Sequence, residues 1–190
     1  MAIDIKKLNL PSLVRSEVMD VTRKSSFPKD VSGNFKEALL SYEYIPLEKG
    51  KGKGGKDVSA RFQAKVRILE SDAPMTVGRE YTLAFWLGGD HQQYSDRERL
   101  AFVAACFGET SDQFTDGLTA EQAAEKAQEQ EQKLLDSSEA NGFAAEADGS
   151  YPCVIYHTRV SKTKERAAIK DGKPVIENYH VANDYFSPAA

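Results

Sequence analysis

The chain has 190 residues, 25 of them Lys or Arg and 29 Asp or Glu, for a net charge of −4. That length suits one domain with a sizeable core plus extensions. It contains no run of about 18 apolar residues, so no membrane-spanning helix is expected.

The start, Met1-Ala2-Ile3-Asp4-Ile5-Lys6-Lys7, lacks the apolar stretch of a secretory signal, and the expected compartment is the cytoplasm. Two cysteines, Cys106 and Cys153, sit in apolar settings, which suits buried thiols rather than a disulfide. The charge is unevenly spread. Residues 112–149 hold ten acidic and two basic residues, net −8, so the remainder carries +4. Either a solvated helix is attached to an ordinary domain, or a basic binding body carries its own acidic insert.

Residues 1–34 are broken by Pro11, Pro28 and Gly33 and read as an N-terminal extension with one short helical turn. From Phe35 a first strand runs to Pro46, with Ala38, Leu40, Tyr42 and Tyr44 alternating against Glu37, Leu39, Ser41 and Glu43. A Gly/Lys loop follows, carrying Lys49, Lys51, Lys53 and Lys56. Residues 58–68 have the cleanest period. Val58, Ala60, Phe62, Ala64, Val66 and Ile68 share one face, and Ser59, Arg61, Gln63, Lys65 and Arg67 the other. After a turn around Asp72-Ala73-Pro74 and Gly78, a third strand spans 80–87. Tyr81, Leu83, Phe85 and Leu87 are expected inward and Trp86 outward, before Gly88-Gly89.

Ser95-Asp96-Arg97-Glu98 matches a capping box, with Leu100, Val103, Ala104 and Phe107 at helical spacing and Gly108 as the stop. Thr119-Ala120-Glu121-Gln122 is a second box, opening a helix to about Ser137 whose apolar face is mostly alanine. Residues 140–149 read as a mobile linker. The last section is again β, with strands over 151–161 and 174–181. Between them lies a basic hairpin arm holding Lys162, Lys164, Arg166, Lys170 and Lys173 around an Asp171-Gly172 turn, with Arg159 just before it.

The order strand–strand–strand–helix–strand–strand predicts a mainly β fold. It fits a five-stranded OB-fold-like Greek-key barrel over 35–186, with a helix between strands 3 and 4, an acidic helical insertion at 112–149 and a tail at 187–190. A β-sandwich with two peripheral helices is the competing architecture. In an OB-fold, ligand lies across strands 2 and 3, flanked by the loops joining strands 1 and 2 and strands 4 and 5. Lys49, Lys51, Lys53 and Lys56, then Arg61, Lys65 and Arg67, then Arg159, Lys162, Lys164 and Arg166 would converge on that groove. Trp86 would stack a base there, with Tyr42, Tyr44, Tyr156 and Tyr179 as weaker candidates. Against this, strand aromatics commonly belong to the core, and lysine-rich loops commonly serve solubility.

This layout resembles the bacteriophage-encoded OB-fold single-stranded DNA-binding proteins. The likeness rests on the strand order, residues 58–68 and 81–87, the basic 161–173 hairpin and Asn183-Asp184-Tyr185-Phe186. It implies a non-catalytic protein that coats single-stranded DNA with little sequence dependence in phage replication or recombination. Replication or recombination proteins would be its partners, and a homo-oligomer is compatible with it. Many such proteins end in an acidic tail. This chain ends with one acid, Asp184, so the internal acidic segment would take over recruitment if there is any.

No enzyme pattern completes itself. Residues 50–57 nearly match a phosphate-binding loop, but Asp57 stands where Ser or Thr should hold magnesium, and a strand follows instead of a helix. His91, His157 and His180 are scattered, no Cys or His pair has zinc spacing, and no Gly-x-Ser-x-Gly elbow occurs. No cofactor or metal is expected. His157 and His180 read as neighbours across the last hairpin or as ordinary surface or half-buried side chains. The remaining alternatives are a phage structural or assembly protein and an inhibitor that mimics DNA with its acidic helix.

Overall fold

The computed structural model describes residues 31–189 except 53, 74–76 and 89–91. The helical turn expected near the N-terminus lies outside them. Five strands form one antiparallel sheet: β1 (Gly33–Ile45), β2 (Arg61–Ser71), β3 (Glu80–Trp86), β4 (Val154–Lys170) and β5 (Lys173–Pro188), in the order β3-β2-β1-β4-β5. The run β4-β1-β2-β3 is a Greek key, because β4 returns after a long connection to lie beside β1. Hydrogen bonding among the described residues leaves β3 and β5 as edges, so the ladder is open where a closed barrel would join them. The sheet nevertheless curls. Phe85 of β3 meets Phe186 of β5 edge-on at 6.3 Å between ring centres, and Tyr81 of β3 reaches His157 of β4.

From Ala60 onward β2 and β3 follow their alternation, whereas Ser59, expected on the outer face, is buried and Val58 is only half-buried. Ala60, Phe62, Ala64, Val66 and Ile68 are buried opposite Tyr81, Leu83, Phe85 and Leu87. β1 departs from strict alternation. Its pairing with β2 shifts between Lys36 and Glu37 and again between Leu39 and Ser41. The extra residue Leu40 breaks the alternation: Phe35, Glu37, Ala38 and Leu39 are buried, Leu40 is half-buried, and the inward position resumes at Tyr42. A strict period of two cannot survive a bulge.

Three helices lie between β3 and β4: α1 (Gln92–Cys106), α2 (Ser111–Thr115) and α3 (Ala120–Glu139). α1 starts three residues before the expected capping box. Ser95 therefore lies inside the helix, buried, with no hydrogen-bond partner for its hydroxyl. The packed face centres on Phe102, with Val103, Ala104 and Ala105, while Leu100 and Phe107 are only half-buried. The Phe102 ring touches Tyr42, Phe85 and Phe186, so α1 fills the space between β1, β3 and β5. Losing such a ring from a core costs about 3–5 kcal/mol. α1 ends as expected at Gly108, whose φ is +79°. Its N–H donates to the Ala105 carbonyl and that of Glu109 to Ala104, a Schellman closure.

α3 is capped as its sequence predicts, with Thr119 and Gln122 bonding reciprocally. It is not a detachable insert. Leu134 and Leu135 join the core, and Tyr42 donates from its hydroxyl to Glu131 Oε1 at 2.5 Å and from its N–H to Ser138 Oγ at 2.9 Å. Arg99 of α1 meets the other Glu131 oxygen at 3.2 Å and lies over the Phe62 ring. Burial pushes the Glu131 carboxyl upward, and Arg99 and the Tyr42 hydroxyl pull it back. The expected linker 140–149 closes on itself through Gly142 N–H to the Ser137 carbonyl and Glu146 N–H to the Ser150 carbonyl, and buries Phe143. Cys106 and Cys153 are free thiols, with Cys153 Sγ 3.9 Å from the Cys106 carbonyl.

Candidate nucleic-acid interface

The three basic segments do not form one cluster. The Gly/Lys loop leaves the Ile45 end of β1. β4 pairs with β1 only as far as Arg159 opposite Gly33, and the arm continues beyond that end. About 40 Å of strand separates the two exits.

In the loop, Lys49, Lys51 and Lys56 are exposed, and Lys53 lies outside the described residues. A bridge between Glu48 and Val58 pinches its base, Gly50 N–H donates to Asp57 Oδ1 at 2.9 Å, and Gly52 N–H donates to the Lys56 carbonyl at 2.7 Å. Gly52 is required there, since a Cβ would stand 2.8 Å from the Lys56 carbonyl oxygen.

On β2 every expected cation has a carboxylate. Arg61 pairs with Glu48 at 3.1 Å and Lys65 with Glu80 at 2.6 Å. Arg67 pairs with Glu80 and donates to the Tyr151 hydroxyl at 2.6 Å. Hydrogen bonds from Lys65 and Arg67 hold the Glu80 carboxyl below its ordinary range. Trp86 stands directly opposite Arg61, whose guanidinium lies 5.0 Å over the indole centre, and the indole N–H is buried without an acceptor. The ring is half-buried under a cation and is not a bare platform. Of the other tyrosines, Tyr42 is in the core and Tyr44 packs against it.

The arm is the expected hairpin, with strand pairing carried along its full length. β4 and β5 pair from Ile155 opposite Pro188 to Lys170 opposite Lys173. Asp171 and Gly172 have φ of +51° and +72°, the signature of a two-residue type I′ turn. Side chains segregate by alternation. One face continues that of buried Ile155 and His157. The other carries, as cross-strand pairs from the sheet outward, Tyr156–Ser187, Thr158–Tyr185, Val160–Asn183, Lys162–Val181, Lys164–Tyr179, Arg166–Glu177 and Lys170–Lys173. Tyr156, Tyr179 and Tyr185 are exposed at 41%, 36% and 56%. Arg166 pairs with Glu177 at 3.2 Å and lies over the Tyr179 ring, while staying exposed. Among the described residues Lys162, Lys164 and Lys173 carry no ion pair. Tyr185, noted in sequence only as part of Asn183–Phe186, was not among the expected stacking residues. Its position opposite Thr158 follows only once the ladder's register is known.

Arg159 does not belong to this face. It is 6% exposed and lies 3.7 Å from Asp184, at the margin of a buried polar cluster that sequence reasoning missed. Glu37 of β1, Tyr81 of β3, His157 of β4 and Asp184 of β5 meet inside the curled sheet. Tyr81 donates to Glu37, His157 Nδ1 lies 3.1 Å from Glu37 Oε1 and 2.9 Å from the Tyr81 oxygen, and Nε2 lies 3.0 Å from Asp184 Oδ1. Burial opposes a charge on the ring, but the hydrogen bonds to Asp184 and Glu37 prevail and raise the His157 pKa to about 9. Burial, then the Glu37 charge, pushes the Tyr81 hydroxyl well up. His157 is thus fully buried, neither a surface group nor a neighbour of His180. Its cross-strand partner is Phe186, and that of His180 is Thr163. The cluster is buried, with Asp184 at its margin, and ties four strands together.

Among the described residues no group of acidic, His and Cys side chains could hold a metal ion, and no helix is long and apolar enough to cross a membrane. Comparison with known proteins brings no match, whether to family models, to curated proteins or to solved structures.

Proposed function

We propose that this chain is a non-catalytic single-stranded DNA-binding protein that coats its ligand with little sequence dependence. Phage replication or recombination is the setting that its layout suggests. The observation that carries this reading is the outer face of the β4–β5 arm. Five cations, Lys162, Lys164, Arg166, Lys170 and Lys173, share it with three exposed tyrosines and the single acid Glu177. Cations neutralise phosphates and release counterions, and exposed rings accept unstacked bases at about 1–3 kcal/mol each. Duplex DNA buries its bases and would leave the tyrosines without stacking partners.

The sheet supports an OB-fold-like reading. The pairings β1–β2, β2–β3, β1–β4 and β4–β5, with a helix between β3 and β4, suit a partly open five-stranded Greek-key barrel. The Phe85–Phe186 contact marks where closure would occur. The ligand face differs from the one the sequence points to. Glu48 and Glu80 compensate the cations of β2, so the arm carries the larger share of free positive charge.

Titration of a fluorescent oligo-dT at two salt concentrations tests the proposal. Four phosphate contacts would give a log–log salt slope near −3, from about −0.7 per contact on single strands. Equal affinity for duplex, or a signal indifferent to salt, overturns it. Large assemblies formed without DNA binding would favour a structural protein, and capture of a DNA-binding protein without DNA binding would favour a mimic.

A further inference from the structure

Cys106 and Cys153 are both free, and neither takes part in the sheet's ion pairs or in the arm. Cys106 is the last residue of α1 and Cys153 stands just before β4, so the 46 residues 107–152 separate them in the chain. The fold brings their sulfurs together and fixes both backbones. Past Cys106, the Gly108 and Glu109 N–H groups close α1 on the Ala105 and Ala104 carbonyls. The Cys153 carbonyl accepts from the Leu39 N–H of β1 at 3.0 Å. Cys153 Sγ lies 3.9 Å from the Cys106 carbonyl, and the Cys106 thiol is near enough to donate to the Cys153 sulfur. A cysteine that serves only as a small apolar filler has no need of a second sulfur beside it.

The pair is chemically unequal. The bond from Cys106 holds the Cys153 thiol below its ordinary range, against a smaller opposing effect of burial. Burial, and then the same bond, hold the Cys106 thiol well above its own. Cys153 is therefore the sulfur that ionises, and the thiolate is the nucleophile. Cys153 is 7% exposed, which leaves no room for a bulky disulfide such as oxidised glutathione. Cys106 is half-buried, and two residues on, at Gly108, a Cβ would meet nothing within 4 Å, so the end of α1 is open to small solutes. A peroxide is small enough to enter there.

We propose that Cys106 and Cys153 are a peroxide-responsive pair, in which Cys153 is oxidised first and Cys106 converts it to a disulfide. The Cys153 thiolate attacks one oxygen of hydrogen peroxide. The O–O bond breaks, Cys153 becomes a sulfenic acid, and the other oxygen leaves as hydroxide, which the proton released by Cys153 turns into water. The Cys106 sulfur then attacks the Cys153 sulfur. The S–S bond forms, the S–O bond breaks, and the departing hydroxide leaves as a second water with the Cys106 proton. In total the two thiols give up two electrons and two protons to one peroxide. A small dithiol reverses the change by exchange. The bond ties the end of α1 to the root of β4 and closes the loop that carries α2 and α3. The acidic segment that holds Tyr42 and Arg99 through Glu131 then stays docked when the rest of the chain is stressed. Both sulfurs lie outside the arm, so the pair can fail while DNA binding stands, and the reverse also holds.

Exposure of the reduced, folded full chain to a small excess of hydrogen peroxide, followed by acid quenching and mass spectrometry, tests the proposal. The expected product is a monomer lighter by two hydrogen atoms, with Cys106 and Cys153 joined in one peptide pair and both thiols restored by dithiothreitol. The bridge should form about tenfold faster in the folded chain than in concentrated urea, where the sulfurs meet only by chance. Once formed, it should lower the unfolding equilibrium constant about 100-fold, read as a higher urea midpoint. Cys106→Ala should stop the reaction at the Cys153 sulfenic acid, which dimedone traps. Cys153→Ala should leave Cys106 reacting about tenfold more slowly. Thiols that stay reduced in the folded chain overturn the proposal. So do oxygen added to the two sulfurs separately, a bridge between two chains, or a bridge that forms only after unfolding.

Discussion

The body of the sheet and its arm are both rich in cations, yet they treat them in opposite ways. In the body each charge is matched: Arg61 by Glu48, Lys65 and Arg67 by Glu80, Arg99 by Glu131, and His157 by Glu37 and Asp184. In the arm Lys162, Lys164 and Lys173 stand in solvent, and Arg166 stays exposed despite Glu177. Matched buried charges hold strands together, because stranding either partner is costly. Exposed pairs contribute at most about 1 kcal/mol to stability, which leaves their cations available to a ligand. Substitutions in the buried pairs, at Glu131, Arg99 or His157, should therefore unfold the protein. Those at the more exposed Lys65 and Arg67 should spare the fold with little effect on binding, and arm substitutions should spare the fold and remove binding.

The largest effect tests the body. Replacing residues 112–149 by a short Gly/Ser linker should abolish cooperative unfolding in urea, since it removes Phe114, Leu134, Leu135, Phe143 and the carboxylate that holds Tyr42 and Arg99. A cooperative transition in the deletion would show the acidic segment to be an appendage after all. Next comes the arm. Lys162→Glu/Lys164→Glu/Arg166→Glu should lower oligo-dT affinity about 100-fold at low salt and flatten the salt slope. The urea midpoint should stay unchanged, since the side chains are exposed. Equal loss from Lys65→Gln/Arg67→Gln would erase the contrast between the two faces.

The third effect is a pH dependence. The folded pKa of His157 is raised to about 9 from an ordinary 6.5, so between these values the folded state holds a proton that the unfolded state releases. The contribution is complete below about pH 6.5 and is lost as pH rises through about 9, amounting to some 3 kcal/mol at most. Unfolding free energies in urea from pH 6 to pH 9.5 should show the decline, and His157→Gln should abolish it while lowering stability at pH 6. A flat natural profile would mean a neutral ring.

Legibility in the sequence followed the physics of each element. β2 and β3 were readable because one buried face imposes a period of two, and Thr119 with Gln122 because a capping box is local. β1 was misread where Leu40 adds a residue. The start of α1 was misread because Ser95 and Glu98 fit a cap that the chain does not use. Charge compensation was invisible for a different reason. Glu80 lies opposite Arg67, and Glu37 meets His157 across 120 residues of chain, so only register and curl reveal them. The arm's basic side, its hairpin and its Asp171-Gly172 turn were legible, whereas the length of its strands and the isoleucines of its underside, Ile169 and Ile176, were not, since lysine-rich residues give no alternation of apolar faces to mark the ladder.

The smallest effect concerns Trp86, and it decides between the two faces most directly. The indole is opposite Arg61 on the neighbouring strand, and Glu48 holds that guanidinium at 3.1 Å, so a base would have to displace a cation to stack there. A cation over an exposed ring contributes about 0.5–1 kcal/mol and more when desolvated, comparable to what one base would return. The exchange gives DNA no net gain. Trp86→Phe should therefore change oligo-dT affinity by no more than about twofold, a shift below 0.5 kcal/mol. Tryptophan emission should stay level as the oligonucleotide saturates the protein. Replacing Tyr185 or Tyr156 by Ala should cost more, about 1–3 kcal/mol for each ring that stacks a base. Strong quenching with a tenfold loss in Trp86→Phe would move the ligand to the β2–β3 face. The Arg61–Glu48 pair would then be a gate that DNA opens.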